Sequence, residues 1–240
     1  VDRCYLKARN IDLVRKPHFR LRKKKVEKKI DKACRTGRTM VDYKRYMEEQ
    51  EDVTTVQMDT VEGRKGGKVL LTLHFTNCHL MLMYLRDRNT SQTVIDVFNK
   101  LEEDLGETVF RKLFPVVLTD NGSEFSNPTA LEANQRTKIF YCDANAPYQK
   151  GQIEKNHTLI RYALPKGTSF DGLTQEDVQL LACHINSYAR QKLNDKSPAE
   201  SFSFLYGADL LRNLGIELIP PHTINLSPSL FKKEGLSDGN

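Results

Sequence analysis

The sequence lacks the features that mark membrane-spanning proteins and secreted, disulfide-bonded proteins. No apolar run approaches the ~18–20 residues that a helix needs to span a bilayer. The beginning of the chain does not show the basic and then apolar pattern of a signal peptide. The five cysteines are an odd number at wide spacing and include no C-x-x-C pair, which argues against a disulfide framework and a zinc knuckle. We therefore expect a cytoplasmic protein with reduced thiols and no membrane partner.

The positive charge is concentrated at the start of the chain. The 240 residues carry a net charge of +6, but residues 1–50 contain 17 basic and 7 acidic side chains, whereas residues 51–240 contain 20 and 24. A basic arm ahead of a mildly acidic globule indicates a polyanionic partner, most simply the phosphate backbone of nucleic acid. A solvated basic linker is the alternative. The densest basic run, which we expect to contact DNA, is Arg22, Lys23, Lys24 and Lys25.

The hydrophobic pattern from residue 53 onward predicts an α/β domain. β-branched and apolar runs predict strands over 53–61, 69–75, 79–85, 115–119 and 138–142. Helical spacing and cap residues predict helices after Thr90, over 149–162 and 174–192, and after Ser197. The first two strands are joined by turn residues and form a predicted hairpin. The element order predicts a mixed five-stranded sheet with helices on both faces.

Three acidic residues lie where a carboxylate is costly or where ligands bind. Asp59 interrupts an apolar strand, and a carboxylate there must be paired, protonated or bound to metal. Asp120 follows the apolar strand 115–119, at the edge where open α/β sheets bind their ligands. Glu154 lies one turn into the helix that begins near residue 149. Each has an ordinary alternative, namely an ion-paired Asp, a turn residue and a solvent-facing Glu.

Taken together, these acids are suited to binding divalent cations. Mg²⁺ prefers oxygen ligands and is typically held by a few carboxylates together with substrate phosphate. Two such ions can activate an attacking hydroxyl and stabilise the leaving oxygen in phosphoryl transfer. We therefore expect Asp59, Asp120 and Glu154 to converge on a metal-dependent site.

Five sequence segments agree in order and spacing with a known family. They are V-Q-M-D-T-V-E-G (56–63), L-T-D-N-G-S-E-F (118–125), P-Y-Q-K-G-Q-I-E-K-N-H (147–157), L-P-K-G-T-S-F (164–170) and H-I-N-S-Y-A-R-Q-K-L-N-D-K-S-P-A-E-S-F (184–202). With these segments the chain resembles Asp-Asp-Glu transposases and retroviral-type integrases, and more narrowly bacterial insertion-sequence transposases of the IS-thirty type. The 33 residues between Asp120 and Glu154 fit that group. Lys155 departs slightly from it, because family members often have Asn after the glutamate.

The resemblance implies a ribonuclease-H-like core that hydrolyses phosphodiesters at element ends and transfers strands into target DNA. It implies that Asp59, Asp120 and Glu154 hold two Mg²⁺ ions, for which Mn²⁺ substitutes. The implied partners are the terminal repeats of the element, target DNA and further copies of the chain on DNA. The implied location is the bacterial cytoplasm, at the nucleoid. The implied regions are a basic arm (1–50), left from a DNA-binding region, a catalytic core (51–205) and a tail (206–240). Because Val1 is not a natural initiator, we expect an N-terminal piece to be missing.

Residues near the acids are candidates for DNA contact. Lys150, His157 and Arg161 recur with Glu154 at a spacing of three to four, which predicts that they share one helix face. We expect Lys150 and Arg161 to contact phosphates, with weak ion pairs to Glu154 as the alternative. His157 is expected to contact DNA, act as a base or pack. Asn121 either contacts phosphate or only completes the turn after Asp120.

Two other functions remain open at this point. The first is a DNA-binding remnant in which the three acids are idle. The second is a ribonuclease-H-like nuclease that cuts RNA–DNA hybrids without joining strands. A strand-joining product would separate the predicted transposase from both.

Overall fold

The structure is a computed structural model that describes residues 33–50, 53–144 and 146–231. The predicted DNA-contact residues Arg22, Lys23, Lys24 and Lys25 lie outside the described residues. Within the predicted basic arm, the described part contains a short 3-10 helix, Ala33–Arg35, and helix α1, Met40–Glu49.

Five strands form one mixed sheet. They are β1 (Thr55–Glu62), β2 (Val69–Phe75), β3 (Met81–Arg86), β4 (Val116–Thr119) and β5 (Lys138–Tyr141). Their order across the sheet is β3-β2-β1-β4-β5. The predicted hairpin of β1 and β2 is confirmed, and β2 and β3 are also antiparallel, whereas β4 lies parallel to both β1 and β5.

Three helices begin at the cap residues that the sequence predicts, whereas the helix predicted from residue 149 begins at Gly151 without a side-chain cap. Thr90 accepts a hydrogen bond from the Thr93 N–H, and Thr174 and Ser197 form capping boxes. None of the helices in the described ranges has the length and apolar character that crossing a bilayer would need. The α-helices that follow α1 are α2 (Ser91–Leu105), α3 (Glu107–Leu113), α4 (Pro128–Leu131), α5 (Gly151–Ala163), α6 (Gln175–Ser187), α7 (Pro198–Tyr206) and α8 (Ala208–Asn213).

Apolar side chains are packed on both faces of the sheet. On one face, Phe75 of β2 contacts Phe114 at the end of α3, with ring centroids 5.4 Å apart. On the other face, α1 packs Tyr43 and Tyr46 against Phe140 of β5, at 5.7 and 5.6 Å. The fold class predicted from the sequence, a mixed α/β sheet of five strands with helices on both faces, is therefore confirmed.

The predicted tail packs against this core over its described part. Leu211 of α8 is buried, and so are Leu214 and Ile216, which follow it. The short helix Pro228–Phe231 then contacts α5. The region after residue 205 thus supports the helix on which Glu154 lies.

The prediction of a helix over 174–192 is wrong at its C-terminal end, because α6 ends at Ser187. Arg190 and Lys196 form an isolated β-bridge, and the turn between them holds Asn194 and Asp195 at φ angles of 54° and 61°. Asn and Asp adopt this left-handed conformation more readily than other residues with a side chain. The adjacent Asn194 and Asp195 are therefore the sequence signal for this turn, which the prediction from apolar spacing did not include.

Helix α6 protects the outer edge of the sheet with two side-chain amides. β3 is an edge strand, so the peptide groups on its outer side have no neighbouring strand. The amide of Asn186 accepts from the Met81 N–H (2.9 Å) and donates to the Met81 carbonyl (2.8 Å). Gln175 makes the same kind of pair with the Leu85 N–H and the Met83 carbonyl.

We expect Asn186→Ala to lower the free energy of unfolding by about 2–4 kcal/mol, because it leaves two buried peptide groups of Met81 without partners. Urea unfolding measures this loss. Gln175→Ala is the matched control, since Gln175 is half-buried and water can replace its amide; we expect a loss of about 1 kcal/mol there. Equal losses in the two variants would contradict this account of the edge.

Candidate active site

Two of the predicted acids share one cation, the ammonium group of Lys150. The Lys150 Nζ lies 3.3 Å from Oδ2 of Asp59 and 3.6 Å from Oδ2 of Asp120. The side chain of Lys150 is only 7% exposed, whereas those of Asp59 and Asp120 are 19% and 48% exposed. The carboxylates therefore meet at the rim of the site, with the lysine beneath them.

The parallel pairing of β1 and β4 brings the two carboxylates together. Gln57 of β1 lies opposite Leu118 of β4, so Asp59 and Asp120, each two residues further along, emerge side by side. Because β1 and β4 are neighbours in the sheet, the arrangement follows from strand register.

Backbone N–H groups orient both carboxylates. Oδ1 of Asp59 accepts from the Thr60 N–H (2.8 Å), and Oδ1 of Asp120 accepts from the Gly122 N–H (2.9 Å). Each residue thereby directs Oδ2 toward Lys150. A side chain at position 122 would collide with Glu124, whose Oε2 lies 2.6 Å from where a Cβ would be. A larger residue in the turn that follows Asp120 would therefore have to displace the Glu124 carboxylate.

The start of α5 is fixed on β1 by polar contacts. Lys150 ends the 3-10 helix Pro147–Lys150, and its Nζ also donates to the Met58 carbonyl at 3.2 Å. The side-chain Oε1 of Gln57 accepts from the Ile153 N–H, in the first turn of α5, at 3.0 Å. One N–H that a helix start leaves without a backbone partner is thus satisfied by β1 itself.

Burial raises the pKa of Asp59, since it disfavours the charged carboxylate, while the Lys150 ammonium lowers this pKa and the nearby Asp120 raises it. Two carboxylates at one site repel each other, and a cation between them relieves the repulsion. The electrostatics of the pair therefore favour a bound cation.

His157 lies beside Asp59 as a neutral imidazole. Its Nε2 is 2.9 Å from Oγ1 of Thr72, and that hydroxyl donates its single proton to the Asp59 carbonyl (3.0 Å). Nε2 must therefore carry the imidazole proton, which leaves a lone pair on Nδ1, 3.9 Å from Oδ2 of Asp59. Burial, together with the positive charges of Lys150 and Arg161, lowers the pKa of His157 to about 4.

The depressed pKa of His157 predicts a pH dependence of stability. Between an unfolded pKa of 6.5 and a folded pKa of about 4, the unfolded chain binds a proton that the folded chain does not. The free energy of unfolding should therefore decrease as pH falls through this window, by roughly 3 kcal/mol from this group. Urea unfolding of wild type and His157→Asn from pH 4 to 7, in metal-free buffer, measures the difference.

The comparison with His157→Asn isolates this group, because both proteins retain Asp59. The raised pKa of Asp59 acts in the opposite direction, since its contribution is lost as pH rises, and it is common to both proteins. Parallel pH profiles for the two proteins would contradict the neutral state of His157.

Glu154 is not part of the carboxylate pair. It lies exposed in the first turn of α5, four residues after Lys150. Within the described ranges, its carboxylate has no hydrogen bond or ion pair, and no group of three or more His, Cys, Asp or Glu side chains is placed to hold a metal ion. The structure brings Asp59 and Asp120 together and leaves Glu154 on the adjoining helix.

The pair Asp59 and Asp120 fits a hard divalent cation in its donor chemistry. Both groups present a carboxylate oxygen to the same positive centre, and Mg²⁺ and Mn²⁺ prefer oxygen donors. Asp120 is half exposed, so one side of the pair is open to water and to a substrate phosphate. Among the described residues, only these two carboxylates are placed to bind this cation, so a third ligand has to come from another side chain, from water or from the substrate.

The other predicted neighbours make contacts within the chain. Asn121 donates its amide to the Cys142 carbonyl at 2.9 Å, which ties the turn after Asp120 to the end of β5. Arg161 donates to the Glu62 carbonyl at 2.7 Å. The alternative in which Lys150 and Arg161 pair with Glu154 is wrong, because Lys150 pairs with the two aspartates and Arg161 with that carbonyl.

Two arginines that the sequence analysis gave no role support the site. Arg190 hydrogen-bonds to Oδ1 of Asn156, a buried residue of α5, and burial lowers the pKa of Arg190 to about 10. Arg35, in the described part of the predicted basic arm, donates to the Asn121 carbonyl at 3.1 Å, so this part of the chain passes beside the turn after Asp120. The only sequence signal for Arg190 was its place in the segment 184–202.

A basic groove lies along the start of α5. It is lined by Lys155, Arg190 and Lys192, together with Tyr148, whose side chain is the most exposed large aromatic of this region at 80%. Basic side chains interleaved with an exposed aromatic ring suit a nucleic-acid strand, because phosphates bind the former and bases stack on the latter. The groove also includes Gln57, which joins it to the carboxylate site.

Comparison with known proteins identifies insertion-sequence transposases as relatives. No family model matches the chain. The chain is 26% identical, over 59% of its length, to the transposase InsI of insertion sequence element IS30C from Escherichia coli strain K12, of which it covers 36%. It is 24% identical, over 69% of its length, to the transposase of element IS4351 from Bacteroides fragilis, of which it covers 50%.

The catalytic core domain of BIV integrase matches with a TM-score of 0.48 at 18% identity, over 65% of this chain and 97% of that one. The chain spans half or less of the length of the two transposases. The resemblance to insertion-sequence transposases that the sequence segments predict is confirmed.

Proposed function

We propose that this chain, similar as it is to insertion-sequence transposases, is the catalytic part of a DNA transposase that cleaves and joins phosphodiesters with a divalent cation. The observation that carries the proposal is that Asp59, on β1, and Asp120, directly after the neighbouring strand β4, both contact one cation, the Lys150 ammonium. A stable fold does not need two carboxylates at this place, because each raises the cost of burying the other.

In this proposal, Asp59 and Asp120 would hold Mg²⁺, while the backbone N–H groups of Thr60 and Gly122 orient their carboxylates through Oδ1. When bound, the metal supplies Lewis-acid chemistry: activation of the attacking hydroxyl and stabilisation of the leaving 3′ oxygen. Rigid strands orient the two aspartates, so little reorganisation is needed when the substrate phosphate arrives. No Ser or Tyr nucleophile is required.

Glu154 completes the proposed site from α5 as the ligand of a second ion. It is in the first turn of the helix whose start is fixed on β1 by Gln57, and it is exposed to solvent. Its freedom from other contacts within the described ranges leaves its carboxylate available to a metal ion or to a metal-bound water. Mn²⁺ is expected to substitute for Mg²⁺ because both prefer oxygen ligands.

DNA is the proposed substrate and partner. The basic groove beside α5 would bind the strand next to the carboxylates, with Lys155 and Lys192 at phosphates and Tyr148 against a base. Asn121, Lys150, His157 and Arg161 remain the predicted contacts closest to the reacting phosphate. A reaction that joins two element ends to a target requires two active sites, so we propose a homo-oligomer on DNA.

A strand-joining assay tests the proposed function. Labelled duplexes that carry the ends of the element are incubated with target DNA in Mg²⁺, in Mn²⁺ and in EDTA. We expect 3′-end cleavage and joined products with either metal and none in EDTA. Hydrolysis of RNA–DNA hybrids without joining would support the nuclease, and end binding without cleavage would support the idle remnant.

A further inference from the structure

We propose that Lys150 is a positioning residue that serves as the built-in counter-ion of Asp59 and Asp120 until a divalent cation takes its place. The inference rests on the proposed function, since it concerns the same carboxylates. Its basis is geometric: the Lys150 Nζ already lies within ion-pair distance of the Oδ2 atoms of both aspartates, at 3.3 and 3.6 Å. The metal and the ammonium group therefore compete for the same two oxygens.

The contacts of Lys150 distinguish it from a solvated surface charge. A lysine ammonium has three donors, and the three acceptors around Nζ are Asp59, Asp120 and the Met58 carbonyl. Its side chain is 7% exposed. Withdrawing the ammonium without replacement would leave two neighbouring carboxylates uncompensated, which is costly in a partly buried site. Exchange for another cation avoids this cost.

The helix that follows Lys150 is also held by contacts that do not involve the Lys150 side chain. Gln57 holds the first turn of α5 through the Ile153 N–H, and Arg190 holds the same helix through Asn156. Lys150 itself lies in the preceding 3-10 turn, next to the exposed Tyr148. Its long, flexible side chain can therefore leave the aspartates while α5 keeps its position.

Competition has opposite consequences for the two states of the protein. In the metal-free protein, the ammonium keeps the carboxylates close and relieves their repulsion. When a divalent cation binds, the same ammonium must be displaced, which weakens the apparent affinity for the metal. After displacement, the ammonium lies beside the site where the substrate phosphate would bind, and can pair with it.

The first test measures Mn²⁺ binding to the metal-free 240-residue chain by electron paramagnetic resonance of the free ion. We expect Lys150→Gln to bind Mn²⁺ at least about tenfold more tightly than wild type, because the competing charge is gone. The same variant should have a lower melting temperature without metal and a larger Mn²⁺-dependent rise. Lys112→Gln is the matched control: Lys112 is an exposed lysine on α3, and we expect wild-type affinity.

The second test uses the wild-type protein, so it does not depend on how the variant folds. Reductive methylation of lysines is followed by mass spectrometry with and without Mn²⁺. We expect Lys150 to be protected in the metal-free protein and labelled several-fold faster with Mn²⁺, while the labelling of Lys112 stays constant. Equal labelling of Lys150 in the two conditions, with Mn²⁺ bound, would overturn the proposal.

Asp120→Asn separates this inference from the proposed function. If Asp120→Asn binds Mn²⁺ as wild type does, the carboxylate pair is not the metal site, and both proposals fail. If Asp120→Asn loses Mn²⁺ while Lys150→Gln binds it no more tightly than wild type, the metal site stands and the counter-ion role of Lys150 is refuted.

Discussion

Asp120→Asn is expected to slow strand cleavage and strand joining by about 10³-fold or more, because it removes one of two charges that hold the metal ion. The free energy of unfolding should change by no more than about 1 kcal/mol, since Asp120 is half exposed and exposed charges contribute little. The asparagine retains the oxygen that accepts from the Gly122 N–H, so the turn is kept. Single-turnover rates in Mg²⁺ and urea unfolding measure the two effects.

Asp87→Asn is the matched control for this substitution. The Asp87 side chain is 86% exposed, and it makes a loose ion pair with Lys68 at 3.9 Å. We expect wild-type rates and wild-type stability. A folded Asp120→Asn protein with full activity would contradict the assignment of the carboxylate pair, whereas a loss of activity in both variants would point to a general effect of reduced negative charge.

The proximity of Asp59 and Asp120 was predictable from the sequence. One carboxylate interrupts an apolar strand and the other follows a short apolar strand that is buried in the sheet, and these are the positions that parallel neighbouring strands bring to one edge. Strand register is regular, so a two-residue offset on each strand is enough to place both side chains. The sheet itself was predictable because its strands show the same regular pattern in the sequence.

The position of Lys150 was not predictable from its spacing. A spacing of four residues places two side chains on one face only if both lie in the same α-helix. Lys150 lies in a 3-10 turn before α5, so its side chain points toward β1 and Glu154 points to solvent. The element boundary at Gly151 therefore decides the electrostatics of the site, and boundaries are the least regular part of a sequence pattern.

The partner of Arg190 was hidden for a different reason. The Arg190–Asn156 contact joins two residues 34 positions apart, across a turn whose shape depends on Asn194 and Asp195. Side-chain contacts at such separation follow from the packing of α5 against α6, and neither helix carries this information alone. The scaffold of the site could thus be predicted, while the side chains that fix α5 could not.

Glu154→Gln is expected to lower strand cleavage and joining by about 10²–10³-fold without a measurable change in stability, because the carboxylate is exposed and makes no contact within the described ranges. If Glu154 only faces solvent, the substitution changes neither the reaction rates nor the stability. The measured rates therefore distinguish a metal ligand from a solvent-facing side chain. Glu103→Gln on α2, 75% exposed, is the matched control. If Glu154→Gln joins strands at the wild-type rate while Asp120→Asn does not, the site operates with two carboxylates, and α5 contributes Lys155 to the basic groove but no metal ligand.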